Sequence, residues 1–192
     1  MKNEDSAVFI ALKLTSICFV SVLLLSVINL ITEPQIKKNK EKTEKEAMTF
    51  LMPEAKDFSK IKNFKSISDN LKKDFYYYEA YNNNSELIGY IVSSQDTGYG
   101  GKMKVMVAFD KNLKILDAKL LDNSETPGLG KKAENDKYMD KFKNTNTEKN
   151  PLPLNKNMLS PADRDAVTGA TITFNGVVGA IKKAADLLKN NL

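Results

Sequence analysis

Histidine and tryptophan are absent from the chain, and cysteine occurs once, as Cys18 inside an apolar run. These absences remove whole chemistries: an intrachain disulfide, a Cys-ligated iron–sulfur cluster, a His-ligated haem and a Ser-His-Asp triad cannot be assembled. Any redox role must therefore rest on a bound organic cofactor. A concentrated charge of one sign is lacking too. The formal net charge is +5, but lysines alternate with acids in KKNKEKTEKE, and no basic stripe is interleaved with aromatics. This pattern describes a solvated face and argues against nucleic-acid binding.

Long hydrophobic runs are scarce as well, which makes the one that exists informative. Leu14–Ile31 carries no charge, and AVFIALK extends it toward the N-terminus across Lys13. At 1.5 Å per residue such a helix covers the roughly 30 Å hydrocarbon core of a bilayer, with Lys13 snorkelling at one edge. A cleaved signal peptide would be shorter and would end at small residues, whereas NLITEPQIKK follows here. The run is read as a retained single-pass anchor. Lys37, Lys38, Lys40, Lys42 and Lys45 follow it and outnumber Lys2 and Lys13, so a bare count of positive charge places the large domain in the cytoplasm.

The 192 residues leave room for one globular domain beyond the anchor. We divide the chain into a tail and anchor at 1–33, a stalk helix at 34–55 and a domain at 56–192. The stalk is charged at first, then carries an apolar stripe of Ala47, Phe50 and Leu51 before Pro53 ends it. Four runs follow that are rich in aromatic and β-branched residues: FYYYEAY, ELIGYIVSS, KMKVMVAFD and LKILDAKLLD. NNNS, DTGYGG and KN separate them, which predicts an antiparallel meander. A short helix is expected within NSETPGLGKKAENDKYMDKFKN. A longer one is expected near the C-terminus, where Val177, Val178, Ile181, Ala184, Ala185 and Leu188 recur at helical spacing. The fold class is α+β, an antiparallel sheet with flanking helices.

Two loops could carry chemistry. Thr168, Gly169, Ala170 and Thr171 lie at the entrance of the terminal helix, where unpaired N–H groups and the macrodipole favour an anion and Gly169 permits close approach. On pattern alone a threonine N-cap is the favoured reading of these residues. Ser124–Lys132, SETPGLGKK, contains Pro127, Gly128 and Gly130 and reads as a turn. It is not a nucleotide-triphosphate loop, because Glu125 and Lys132 stand where glycine and a hydroxyl residue are required. Gly98, Gly100 and Gly101 read as a hairpin turn, with Tyr99 placed to stack beside a ligand ring. Tyr76, Tyr77 and Tyr78 alternate faces of a strand, so at least one belongs to the core and none has a redox role.

The stretch DAVTGATIT resembles the flavinylation motif of the covalent flavin-binding domain family, Asp-x-x-(Ser/Asp)-Gly-Ala-(Thr/Ser), and SETPGLGKK resembles that family's second recurring loop. Both occur in the expected order and separation. Together with the anchor and GYGGKMKVMVAFD, the similarity covers nearly the whole chain. It points to the G subunits of Rnf-type electron-transport complexes. The related C subunits of sodium-pumping NADH:quinone oxidoreductases share both motifs but fit a chain this short less well. A membrane-tethered scaffold without a redox group is the reading from a different class.

The resemblance implies FMN as cofactor, joined through its phosphate to the hydroxyl of Thr171 by a flavin transferase that uses FAD. Asp165 and Gly169 match other fixed positions of the motif, and Ala170 completes it. Thr168 departs from the usual Ser or Asp while keeping a hydroxyl; Thr168 and Thr173 are the alternative attachment points. No base or metal site neighbours Thr171 in the sequence, so an external enzyme is implied. Glu125, Thr126, Gly128 and Leu129 are expected at the flavin, with Leu129 giving apolar surface and Glu125 and Thr126 addressing ring heteroatoms. No residue is expected to be catalytic and no metal is expected. The implied partners are the other membrane and iron–sulfur subunits of an Rnf-type complex that links ferredoxin and NAD. The implied location is the bacterial inner membrane with the flavin domain extracytoplasmic, against the lysine count. The ion pumped is not legible.

Overall fold

The structure, a computed structural model, describes residues 2–61 and 75–192, with side chains from Val8 onward except those of residues 60 and 61. Residues 62–74, part of the expected domain 56–192, lie outside the described ones. The chain forms two compact units, Met1–Thr43 and Glu44–Leu192.

The first unit consists of most of α1, a helix spanning Lys2–Leu51. Its apolar residues from Val8 to Ile31 are exposed on every side, as expected of a helix whose solvent is lipid. It is long and apolar enough to cross a membrane. Ser16, Ser21 and Thr32 each donate their hydroxyl to the carbonyl four residues earlier at 2.9 Å, so these polar groups are satisfied without water. Pro34 lies inside α1, and the helix continues through it.

The second unit begins with the last turns of α1. Ala47, Met48 and Leu51 are buried there, with Met52 just beyond the helix end. The expected stripe is corrected at Phe50, which is 44% exposed and lies under the Lys119 ammonium at 4.0 Å. The buried face is centred between Leu51 and Met48, which turns Phe50 away from the core.

Five antiparallel strands follow in meander order: β1 Asp57–Ile61, β2 Tyr76–Tyr81, β3 Leu87–Thr97, β4 Lys102–Asp110 and β5 Ile115–Asp122. The four expected strands are present, and β1 is an addition that pairs Asp57 with Tyr81 and Ile61 with Tyr77. Pairing of Thr97 with Lys102 leaves Gly98–Gly101 as the hairpin turn, closed by Gly98 N–H donating to the Gly101 carbonyl at 2.8 Å. Beyond β5 come a 3₁₀ turn at Gly130–Glu134, α2 at Asp136–Met139, a second 3₁₀ turn at Asp140–Phe142, a third at Lys156–Met158, α3 at Pro161–Val167 and α4 at Thr171–Lys189.

The sheet is covered on both faces. On one, Ser94 Oγ donates to the Ala180 carbonyl of α4 at 2.7 Å, and Phe174, Val177, Ile181, Ala184 and Leu188 fill the space between. On the other, Lys104 Nζ bonds Glu44 Oε1 at 2.7 Å and Tyr76 OH at 2.9 Å, while Tyr76 OH also donates to Glu44. Burial first, then Glu44, pushes the Tyr76 phenol upward, so it stays protonated. With both faces covered, Tyr76, Tyr77 and Tyr78 are all core residues.

Candidate functional site

Two loops and a turn meet at the N-terminus of α4. They line a cleft of about 590 Å³ formed by Tyr99 from the β3–β4 turn, Glu125, Thr126, Leu129 and Gly130 from the loop after β5, and Gly169 through Thr173. This volume lies within the range of cofactor sites. The two stretches singled out in the sequence, more than thirty positions apart, therefore form opposite walls of one cavity.

The start of α4 lacks a cap. Ala170 occupies the N-cap position with φ −130° and ψ 37°, and no side-chain cap bond is made there among the described residues. The threonine N-cap favoured on pattern alone is overturned, for a specific reason. Gly169 adopts φ +83°, a left-handed conformation that bends the chain sharply between α3 and α4. Thr168 is thereby left on the far side of the bend as the C-cap of α3, where its hydroxyl donates to the Arg164 carbonyl at 2.9 Å. The N–H groups at the start of α4 are left facing a cavity, the arrangement that favours an anion.

The three threonine hydroxyls now differ. Thr168 is exposed and bonded to its own helix. Thr173 is 2% exposed and donates to Glu125 Oε2 at 2.6 Å. Thr171, the first residue of α4, is half-buried, lines the cleft, and its hydroxyl makes no hydrogen bond among the described residues. Asp165 is exposed within α3 and does not line the cleft.

The opposite wall is a coiled loop. The Thr126 carbonyl accepts from both Leu129 and Lys131 N–H at 3.2 Å, and Gly128 sits at φ +77°. This fold-back presents Leu129, 47% exposed, to the cleft, while Gly128 is exposed outside the lining. Glu125 is 3% exposed, and its carboxylate accepts from Gly100 N–H at 2.9 Å and from Thr173. Tyr99 and Ile172 complete the rim, 72% and 54% exposed. Nothing in the sequence pattern singles out Ile172, whose place in the cleft follows from its position next to Thr171 on the first turn of α4. Three of the exposed large apolar side chains of this unit thus converge on one cavity whose end is a positive helix terminus, a combination suited to a flat apolar ring with an anionic tail.

Similarity to known proteins agrees with this chemistry. The family model of the FMN-binding domain matches residues 98–186, a span that includes every residue lining the cleft. The solved structure of Shewanella oneidensis NqrC shares the fold, with a TM-score of 0.50 at 20% identity over 73% of this chain and 70% of that one. The region around the cleft is therefore similar to the FMN-binding domain.

Relatives along the whole chain narrow it further. The G subunit of the proton-translocating ferredoxin:NAD(+) oxidoreductase complex of Clostridium ljungdahlii is 30% identical over 96% of this chain and 93% of its own. Its counterpart in the ion-translocating oxidoreductase complex of Methanosarcina acetivorans is 24% identical over 97% and 96%. The corresponding protein of the Na(+)-translocating ferredoxin:NAD(+) oxidoreductase complex of Acetobacterium woodii is 27% identical over 86% and 84%. The chain belongs to the G-subunit family of ion-translocating (Rnf) oxidoreductase complexes.

Proposed function

We propose that this protein is the membrane-anchored flavoprotein component of an Rnf-type ion-pumping ferredoxin:NAD oxidoreductase complex, carrying FMN covalently on Thr171. The observation that carries the reading is the uncapped start of α4, where a Thr171 hydroxyl without a partner among the described residues opens into a cleft of cofactor size. The residues fit the group. The first-turn N–H donors would hold the phosphodiester, and Leu129, Ile172 and Tyr99 would supply apolar surface for the ring. When bound, FMN supplies reversible electron acceptance.

Attachment is a phosphoryl transfer. Thr171 Oγ would take the flavin-side phosphoryl group of FAD, with the pyrophosphate bond broken, AMP leaving and the hydroxyl proton passing to the transferase. Among the described residues lining the cleft, the one carboxylate, Glu125, is bonded to Gly100 and Thr173 and not to Thr171, which is consistent with a separate maturation enzyme. The domain relays electrons between cofactors of neighbouring membrane and iron–sulfur subunits. It lies on the extracytoplasmic side of a bacterial inner membrane, tethered by α1.

The test is the intact mass of the full chain purified from cells that coexpress a flavin transferase. A gain equal to FMN minus water, mapped to Thr171, is the expected result. An unmodified, colourless protein sinks the reading in favour of a tethered binding domain.

A further inference from the structure

The buried carboxylate of Glu125 touches the site without facing it openly. Its Oε1 accepts from Gly100 N–H at 2.9 Å and its Oε2 from Thr173 Oγ1 at 2.6 Å, while Asn123 Oδ1 holds Glu125 N–H at 3.0 Å. It forms no ion pair among the described residues. A carboxylate buried without a cation is costly, and only strong, well-aligned donors offset that cost.

The surroundings are shaped for this side chain. A methyl group added at Gly98 would lie 2.4 Å from both Oε1 and Met103 Sδ, and one added at Gly130 would lie 2.4 Å from Oε2 and 2.7 Å from Thr173 Oγ1. The two bonds join elements distant in sequence: the β3–β4 turn that carries Tyr99 and the first turn of α4 that carries Thr171.

We infer that Glu125 is a positioning residue: it clasps the β3–β4 turn to the first turn of α4, and so sets the direction of Thr171 and the distance between the walls that receive the flavin. Each carboxylate oxygen already accepts one hydrogen bond from the protein, so Glu125 acts on the site through Gly100 and Thr173. The inference rests on the flavin reading of the cleft.

Glutamine separates clasp from charge. In Glu125→Gln the amide oxygen still accepts from Gly100 N–H, and the amide NH₂ donates to Thr173 Oγ1, which turns from donor to acceptor. Glu125→Ala loses both bonds, and Thr173→Val loses only the α4 arm at nearly constant volume.

The experiment compares full-length chains coexpressed with a flavin transferase. It reads the rate of covalent loading by intact mass, and ring placement by visible circular dichroism of the attached flavin. Far-ultraviolet dichroism confirms folding. Loading in Glu125→Ala is expected to fall by roughly tenfold or more and in Thr173→Val by roughly tenfold, the scale of a charge-assisted hydrogen bond. Both should lose the flavin dichroism, and Glu125→Gln should recover both signals.

If Glu125→Ala does not fold, Thr173→Val against Glu125→Gln decides. Wild-type loading and dichroism in Thr173→Val overturn the clasp. A glutamine variant as defective as alanine overturns it too, because charge and not geometry would then matter. Absence of flavin from the wild-type chain instead removes the underlying assignment.

Discussion

Two helices begin within eleven residues of each other and begin in opposite ways. At the start of α3, Ser160 Oγ accepts from Asp163 N–H at 3.2 Å and donates to the Asp163 carboxylate at 2.7 Å, with Pro161 preset in the first turn. At the start of α4, Ala170 offers nothing, and the chain reaches it through a left-handed glycine. The short helix caps its first turn with its own serine, whereas the long one has no side-chain cap among the described residues. The α3 start borders a smaller cavity of about 220 Å³, where the Ser160 hydroxyl is bonded to Asp163, whereas the α4 start opens into the cleft of about 590 Å³ with a Thr171 hydroxyl that has no partner among the described residues. An unmet requirement in a well-packed fold marks a binding site more surely than any single residue type does.

The largest effect that would break this contrast is expected at Thr171. Thr171→Ala should abolish the flavin fluorescence that survives denaturation in a gel, while Thr168→Ala, whose hydroxyl is spent on Arg164, should keep it. Full fluorescence in the Thr171 variant would place the attachment elsewhere. The next step is to make the two helix starts alike. Ala170→Asp supplies α4 with its own acceptor and a negative charge. Flavin loading should drop by about tenfold while the unloaded protein gains up to about 1 kcal/mol in denaturant titration. Loading that survives unchanged would show that the first-turn donors do not hold the phosphate.

The converse experiment removes the existing cap. Ser160→Ala should cost about 1 kcal/mol of stability and leave loading intact, and a parallel loss of loading would mean that α3 is part of the recognition surface.

The smallest effect concerns Lys141, which lies after α2 and not at either helix start. Burial pushes its ammonium down to about 8, with Asp163, at the α3 cap, and Asp140 opposing. The folded chain releases this proton at lower pH than the unfolded one, whose lysine titrates near 10.4. The burden of the buried charge is thus fully present below pH 8 and relieved as pH rises toward 10. Melting of the detergent-solubilised chain should show a modest alkaline gain that Lys141→Met lacks; identical profiles would contradict it.

Much of the architecture was readable because the relevant signals are local. β-branched and aromatic runs alternate with turn residues, so the four longer strands and their meander follow from short-range pattern. The apolar spacing of Val177, Ile181, Ala184 and Leu188 likewise specifies the buried face of α4. Strand β1, DFSKI, has no such signature and exists because β2 offers it a partner. The start of α3 did carry a signal, Ser160-Pro161 with Asp163 behind it, within a stretch that looks like polar loop.

At the site, the motif loops are visible as residue strings, but their meeting is not. The Thr171 region and the Leu129 loop come together through the docking of α4 on the sheet, a tertiary fact. Glu125 shows the same limit. Resemblance placed it at the cleft, which it lines, but its two bonds to Gly100 and Thr173 depend on elements that local pattern does not relate.

The glycines flanking that acid carry a last consequence. A methyl at Gly98 would press on both Glu125 Oε1 and Met103 Sδ, each at 2.4 Å, and one at Gly130 on Glu125 Oε2 and Cβ and on Thr173 Oγ1, so shortening residue 125 alone makes room for neither. A library randomising positions 98, 125 and 130 should therefore keep glycine at 98 and 130 even in clones where residue 125 has become aspartate. Alanine recovered there would show that the packed neighbours give way.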